Sequence, residues 1–509
     1  LRPTLSKQWI YVALACLWTA SNLQAFVLTG DGHLSLEAQF RSNPTTQEDE
    51  DSLRGVKHNF RLGIEGVVSD KASFFAELRV HENLRDAYIG SDGISRECQH
   101  EANGRCLQAG QDPAEAGLDP YRPVITELYA QVALEYCILK AGRRGRDWGL
   151  GILHDSGKGP FDTDRSVFDG VSCDLNLDKM QNLGFEVGYD FLRETGPEFN
   201  AGLPNDIANT GVTSKDDDLH QVFASMTVDD REKKSDAFFR KYVGIYFAYI
   251  FGGDFDTKIS VADVYTDLYI GGVRWQNEAV FRFGDSSNPR LSRYGGNDSG
   301  SDELEVNGLG IAGEVSYTIA EKGSYDGPKV LERGSYQSHG IKAVYALASG
   351  DDDGYTAAAD RDGDADALYL HRNYKPAMLL FNGPSALDGL NTDGVYNADQ
   401  ITNAYVYGLG YEYKNLKIGT FGLTVLGAQL QDDATAAAKA AATAENPVFG
   451  FGGKNLGIEV DLSYDRKLGK NIRAGVEVGY LLPGDAWEIY NGSEPEEVLG
   501  VEAGVQFQF

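Results

Sequence analysis

VLGVEAGVQFQF, residues 498–509, puts Val501, Ala503, Val505, Phe507 and Phe509 on one side of an extended chain and Glu502, Gly504, Gln506 and Gln508 on the other. A period of two is the signature of a strand, because successive side chains leave a pleated backbone on opposite faces. The segment before it repeats the grammar: Ile472, Ala474, Val476, Val478 and Tyr480 alternate with Arg473, Gly475, Glu477 and Gly479. Near the other end of the chain, Leu34, Leu36, Ala38 and Phe40 alternate with Ser35, Glu37, Gln39 and Arg41.

Between these ends, similar segments of about ten residues, each closed by turn residues, fall at 57–68, 72–82, 124–135, 139–147, 165–175, 181–194, 218–229, 238–252, 257–267, 273–284, 304–320, 338–348, 401–413, 417–430 and 456–465. The alternation is faintest at 139–147 and 257–267, so the count is about eighteen strands, with sixteen as the other even number. Connections alternate in length. Short ones at 69–71, 136–138, 230–236, 413–416 and 466–470 interleave with long, mostly acidic ones at 42–56, 83–123, 195–217, 349–400 and 431–455. Only 321–337 breaks the rule. Such one-sided alternation predicts an all-β, transmembrane, antiparallel up-and-down β-barrel with short periplasmic turns and long outer loops, and a soluble sandwich has no reason to show it. The apolar face ending on Phe507 and Phe509 resembles the C-terminal signal by which the barrel-assembly machinery recognises outer-membrane proteins.

Composition agrees. The 509 residues hold 60 Gly, 27 Tyr and 24 Phe but 3 Met and 5 Cys, and the mean hydropathy is -0.34. No run of 18 or more apolar residues follows the N-terminal segment, which excludes a helical membrane protein. That segment has Arg2 and Lys7, an apolar run at 9–17, and Leu23-Gln24-Ala25 before Phe26. It predicts a signal peptide over 1–25 and one barrel domain over 26–509. A lipobox at Ala13-Leu14-Ala15-Cys16 is the rival reading, with Ala where Leu is usual. The net charge of -30 argues against nucleic acid as a partner and leaves lipid, lipopolysaccharide and a hydrophilic solute or polysaccharide.

Gly142-Arg143-Arg144, Trp148-Gly149-Leu150-Gly151, Phe168-Asp169-Gly170-Val171 and Ala348-Ser349-Gly350-Asp351-Asp352-Asp353 resemble the patterns of the alginate-export-type outer-membrane porins. The resemblance implies an eighteen-stranded barrel with an arginine-rich lumen that passes anionic polysaccharide or acidic solutes. The expected function is passive passage of hydrophilic, anionic solutes or polysaccharide. A structural or surface-polysaccharide-binding barrel with a plugged lumen is the alternative.

Arg143, Arg144, Arg146 and Arg165 flank a Gly-rich outer loop, so their guanidinium groups are candidates to converge on the lumen as a selectivity filter. Guanidinium suits carboxylates because its planar fork donates two parallel hydrogen bonds and stays charged. The competing account is a salt-bridge ladder with Glu127, Glu135, Glu186 and Asp190. Elsewhere the expected inward faces mix Arg61, Arg79, Arg274, Arg282, Lys342 and Arg473 with Glu37, Glu65, Glu77, Glu278, Glu459 and Glu477, as a water-filled pore would.

Asp360, Asp362, Asp364 and Asp366 form a weak Ca²⁺ candidate in loop 349–400. Gly363 is misplaced for an EF-hand, and His371 stands where its bidentate Glu belongs. Cys98 and Cys106 suit a disulfide within one outer loop, and Cys137 and Cys173 fall near the periplasmic ends of adjacent strands, with their pairing open. The His residues are scattered and neither G-x-S-x-G nor H-E-x-x-H occurs, so no enzyme is expected.

Overall fold

The computed structural model describes residues 27–42, 53–89, 95–97, 124–159, 162, 165–175, 182–192, 219–231, 239–252, 256–286, 304–322, 337–350, 364–381, 400–415, 417–433, 439, 451–488 and 495–509. Residues 1–25, Cys98, Cys106, Asp360 and Asp362 lie outside this set, as does the side chain of Asp364.

Eighteen strands form the wall: β1 Val27–Arg41, β2 Leu53–Ser69, β3 Ala72–Ile89, β4 Val124–Ala133, β5 Cys137–Gly145, β6 Val167–Leu175, β7 Leu183–Leu192, β8 Leu219–Asp229, β9 Phe239–Gly252, β10 Thr257–Ile270, β11 Val273–Ser286, β12 Leu304–Lys322, β13 Gln337–Ala348, β14 Ala404–Asn415, β15 Gly419–Leu430, β16 Asn455–Lys467, β17 Ile472–Pro483 and β18 Val498–Gln508. Each pairs antiparallel with its chain neighbours, and β18 returns to β1 with Val505 opposite Leu36 and Val501 opposite Phe40. Closure leaves no edge with unpaired backbone groups, which is the condition for strands to cross a bilayer. Two short pieces lie apart from the wall: Ser95–Glu97 pairs with β3, and Asp364–Ala365 runs parallel to Glu305 and Val306 of β12.

Every segment expected to be a strand is one, including the two with faint alternation. The ends differ because backbone pairing continues past the apolar pattern: β2 begins at Leu53 and β3 runs to Ile89, drawing expected loop residues into the wall. Short connections at 70–71, 134–136, 271–272, 416–418 and 468–471 share one end, here the periplasmic end. At the other end, 253–256 is short as well.

Alternation sorts the side chains by solvent. Leu36, Phe247, Phe281, Leu409, Tyr407 and Leu462 stand exposed on the outside, forming the belt that meets lipid. Their neighbours along each strand, among them Tyr246, Ala248, Val280, Val406 and Asp461, are buried on the inside. Among the described residues no helix is long and apolar enough to span a membrane.

The barrel closes at the chain terminus. Gly32 N donates to Phe509 O at 2.8 Å and Phe509 N to Gly32 O at 3.0 Å, and the Phe509 ring lies 6.3 Å from that of Phe60. A Cβ on Gly32 would strike that ring, so this glycine makes the seat. Deleting Phe509 removes two closing hydrogen bonds and the ring contact. It should lower the yield of folded barrel, read as heat-modifiable gel mobility in outer-membrane fractions; undiminished yield would mean that β18 closes without it. Cys137 and Cys173, diagonal neighbours on β5 and β6 with Cα atoms 5.6 Å apart, form a disulfide. Peptide mapping without reduction should recover them linked, and free thiols at both would contradict the pairing.

Candidate functional site: the narrowed lumen

A barrel of eighteen strands is too wide for wall side chains to fill. Here two connections turn inward and occupy it. The first, the described residues of 146–166, belongs to the connection from β5 to β6; the second, the described 364–381 with 400–403, belongs to the connection from β13 to β14. Inside the barrel their backbone N–H and C=O groups need partners that water no longer supplies.

Charged side chains of the wall provide those partners. For the first loop, Arg61 donates to Gly157 O at 2.7 Å and reaches Lys158 O and Gly159 O, while Arg79 donates to Asp162 O at 2.7 Å. On the far side of that loop, Trp148 Nε1 donates to Asp263 at 2.7 Å and Leu150 N to Glu278. For the second loop, Glu459 accepts from Leu379 N at 2.6 Å and Leu380 N at 2.8 Å, Asp461 accepts from Met378 N, and Arg282 donates to Ala367 O at 2.7 Å. Glycines let the loops approach the wall: a Cβ on Gly310 would meet Leu368 and Leu370, and one on Gly500 would meet Leu379. Across the lumen the two loops touch, His371 N donating to Ile152 O at 2.8 Å and Asn373 Nδ2 to Asp155 at 3.0 Å.

The expected arginine filter divides. Arg144 and Arg146 face the lumen, but both are buried and share one carboxylate, Asp190, at 3.2 and 2.7 Å. Arg146 also lies over Phe223 and Phe168, 3.8 and 4.3 Å from the ring centroids, and donates to Tyr246 Oη. Beneath it, the neutral form of His154 is favoured, because burial first, and then the charges of Arg146 and His371, hold its pKa well below the ordinary range. Arg165 is buried against Glu77 at 3.4 Å. Arg143 is a correction. It pairs with Asp169 at 2.8 Å on the outer side of the wall, where its cross-strand neighbour Leu128 is exposed. Arg143 and Arg144 are consecutive strand residues, so one must point out if the other points in.

Of the ladder acids, Asp190 is used as that account requires, while Glu127 pairs instead with Lys158 at 3.6 Å. The loop cations were missed from sequence. Lys158 is exposed, and Arg372 and Lys375 half-exposed, on the two inward loops. The carboxyl of Asp162 is pushed up to about 6 by burial and by the charge of Asp155, while Arg61 and Lys375 lie near enough to oppose the rise. Of the Ca²⁺ candidates, Asp366 gives its carbonyl to Ser349 Oγ at 2.6 Å, and among the described residues no three His, Cys, Asp or Glu converge to hold a metal.

Asp190 compensates two buried guanidinium groups at once. Asp190→Ala should destabilise the folded barrel by about 3–5 kcal/mol, the usual result of leaving buried charge unpaired. Urea unfolding in micelles measures it, and a loss below about 1 kcal/mol would show that water reaches the arginines.

No family model matches the chain, the alginate-export type included, and no curated protein does. Solved structures do match. OccAB1 of Acinetobacter baumannii aligns at a TM-score of 0.53 and 10% identity, over 96% of this chain and 99% of its own. OccK8 (OprE) of Pseudomonas aeruginosa gives 0.50 and 13% over 95% and 98%, and OccK9 (OpdG) of the same organism 0.50 and 12% over 94% and 98%. At such identity the likeness is one of fold. With the apolar outer belt and the closed register, it makes this chain an eighteen-stranded β-barrel of the outer membrane.

Proposed function

We propose that the barrel is a diffusion channel for small hydrophilic solutes that favours those carrying a carboxylate. One observation carries the reading: the two inward loops meet inside the lumen and carry Lys158, exposed, with Arg372 and Lys375 half-exposed. A cation held in a narrow, low-dielectric passage concentrates its field on a passing ion. The wall of β17, β18 and β1 adds Glu477, Glu502 and Glu37, with Gln39 bridging the last two at 2.7 and 2.8 Å, so a solute bearing both signs finds partners for each.

The loops favour a small solute over a polymer. An extended polysaccharide needs a continuous wide path, and the contact from His371 to Ile152 crosses it. The same contact supports a second reading, a plugged barrel whose outer loops bind surface polysaccharide. Conductance separates the two.

In planar bilayers the folded protein should give discrete conductance steps, with a reversal potential in a salt gradient that favours anions. Lys158→Glu with Lys375→Glu should move that potential toward cations without loss of folding. Because burial pushes the Asp162 carboxyl up to about 6, it takes up a proton as the pH falls from 7 toward 5. Anion preference should therefore rise as pH falls through this range, and Asp162→Asn should flatten the change. Absence of conductance in folded protein would favour the plugged barrel, and an unmoved reversal potential in the lysine variants would remove the selective role of the loops.

A further inference from the structure

Charge is unevenly placed at the periplasmic end. The residues at 70–71, 134–136 and 229–231 carry Asp70, Glu135, Asp229 and Asp230 against Lys71 and Arg231, and Arg231 pairs with Asp229 at 2.7 Å. The ends of β14 to β17 differ. Lys417 on one turn, Arg466 and Lys467 at the end of β16, and Lys470 on the next turn are all exposed, and among the described residues none of the four makes an ion pair or a side-chain hydrogen bond. The acids beside them already have partners, Glu412 in Lys414 at 2.6 Å and Asp465 in Arg473 at 2.6 Å. In a chain of net charge -30, four uncompensated cations on two adjacent turns make a local field of the opposite sign.

Both turns are fixed in place. Asn415 Oδ1 accepts from Lys417 N at 2.9 Å and Ile418 N at 3.3 Å, Tyr464 Oη donates to Ile418 O at 2.5 Å, and Leu468 N donates to Ile472 O at 2.9 Å. Gly419, at φ +115°, lets the first turn lie on β16, where a Cβ would strike Asp465 O and crowd the Cβ of Arg466.

The aromatic rings above the cations set their depth. Tyr413, Phe421 and Tyr464 form a chain on the outer wall, with successive ring centroids 6.4 and 4.7 Å apart. Such a girdle marks the boundary between hydrocarbon and headgroups. By parity Arg466 follows Leu462 and Tyr464 on the lipid side, and it lies two residues nearer the periplasm than Tyr464. At about 3.3 Å per residue and a tilt of about 40°, that is about 5 Å below the girdle, at the level of the lipid phosphates. Ile418 and Leu468 stand exposed among the cations, and the exposed Leu423 and Leu462 continue the apolar surface upward. We propose that this surface binds an anionic glycerophospholipid of the inner leaflet, with Arg466, Lys417 and Lys470 around its headgroup and its acyl chains along the wall over Leu423 and Leu462. A cell-wall strand would meet the charge but make no use of Ile418, Leu468 or the rings directly above; a phospholipid uses all of them.

The test uses the folded full chain in neutral detergent micelles, given equal amounts of phosphatidylglycerol and phosphatidylcholine and read by native mass spectrometry, with folding checked by heat-modifiable mobility. The wild type should retain phosphatidylglycerol in preference. Lys417→Gln, Arg466→Gln and Lys470→Gln together should lower that retention at least about tenfold, to the level of phosphatidylcholine, and Arg466→Gln alone about fivefold, the usual effect of one cation at an anionic surface. Lys71→Gln, which removes an exposed lysine from a different turn, should change nothing. Equal retention of the two lipids by the wild type would overturn the proposal, as would a folded triple variant that keeps its preference. Binding to isolated peptidoglycan that the triple variant loses while its lipid retention is unchanged would assign the patch to the cell wall and overturn it as well.

Discussion

Two loops lie where water is scarce, and their peptide groups must still be hydrogen-bonded; the arrangement of charge inside this barrel follows from that constraint. Each unsatisfied buried N–H or C=O costs about 1–3 kcal/mol. Carboxylates that accept from successive amides, as Glu459 does from Leu379 and Leu380, and guanidinium groups that donate to successive carbonyls, as Arg61 does from Gly157 to Gly159, meet the need with one side chain for several peptide groups. Charge-assisted bonds are also the stronger kind. A lumen wall rich in both signs is thus what two folded-in loops require, before any solute is considered.

This changes what an arginine in such a wall means. Arg61, Arg79 and Arg282 hold backbone, and Arg144, Arg146 and Arg165 are committed to Asp190 and Glu77. None of these charges is free to follow a solute without releasing the structure it holds. Groups that meet a solute must sit where the loops end and water begins, as Lys158 does, exposed and only 3.6 Å from a buried glutamate. On the proposed reading, selectivity belongs to the loop surface together with the carboxylates of β17, β18 and β1, and the buried arginines are scaffold.

The fold was legible because period-two alternation is imposed by solvent on every strand separately, so each one signals by itself. Even β5, faint in sequence, follows: Leu139 and Ala141 look out, Lys140 and Arg144 in. The site was less legible because it depends on where a loop goes, and 146–166 carries no periodic signal. Its inward path is written in pieces far apart, the small inward residues Gly310 and Gly500 and the paired acids of β10, β11 and β16, which look like ordinary lumen lining until a loop lies on them. The placement of Arg143 was readable from parity alone. Setting four arginines together because they are near in sequence overrode the rule that placed the strands.

The net charge of -30 argues little about what passes. At physiological salt, fields from exposed groups decay over about 8 Å, so acidic residues on outer connections are largely invisible to an ion inside the barrel. Buried groups are screened less, and some are neutralised in place: Asp267 by Arg274 at 3.0 Å, Asp190 by its two arginines. On the first loop, burial pushes the carboxyl of Asp162 up to about 6. A proton there changes the charge of the first loop by one unit, within reach of Arg61 and Lys375.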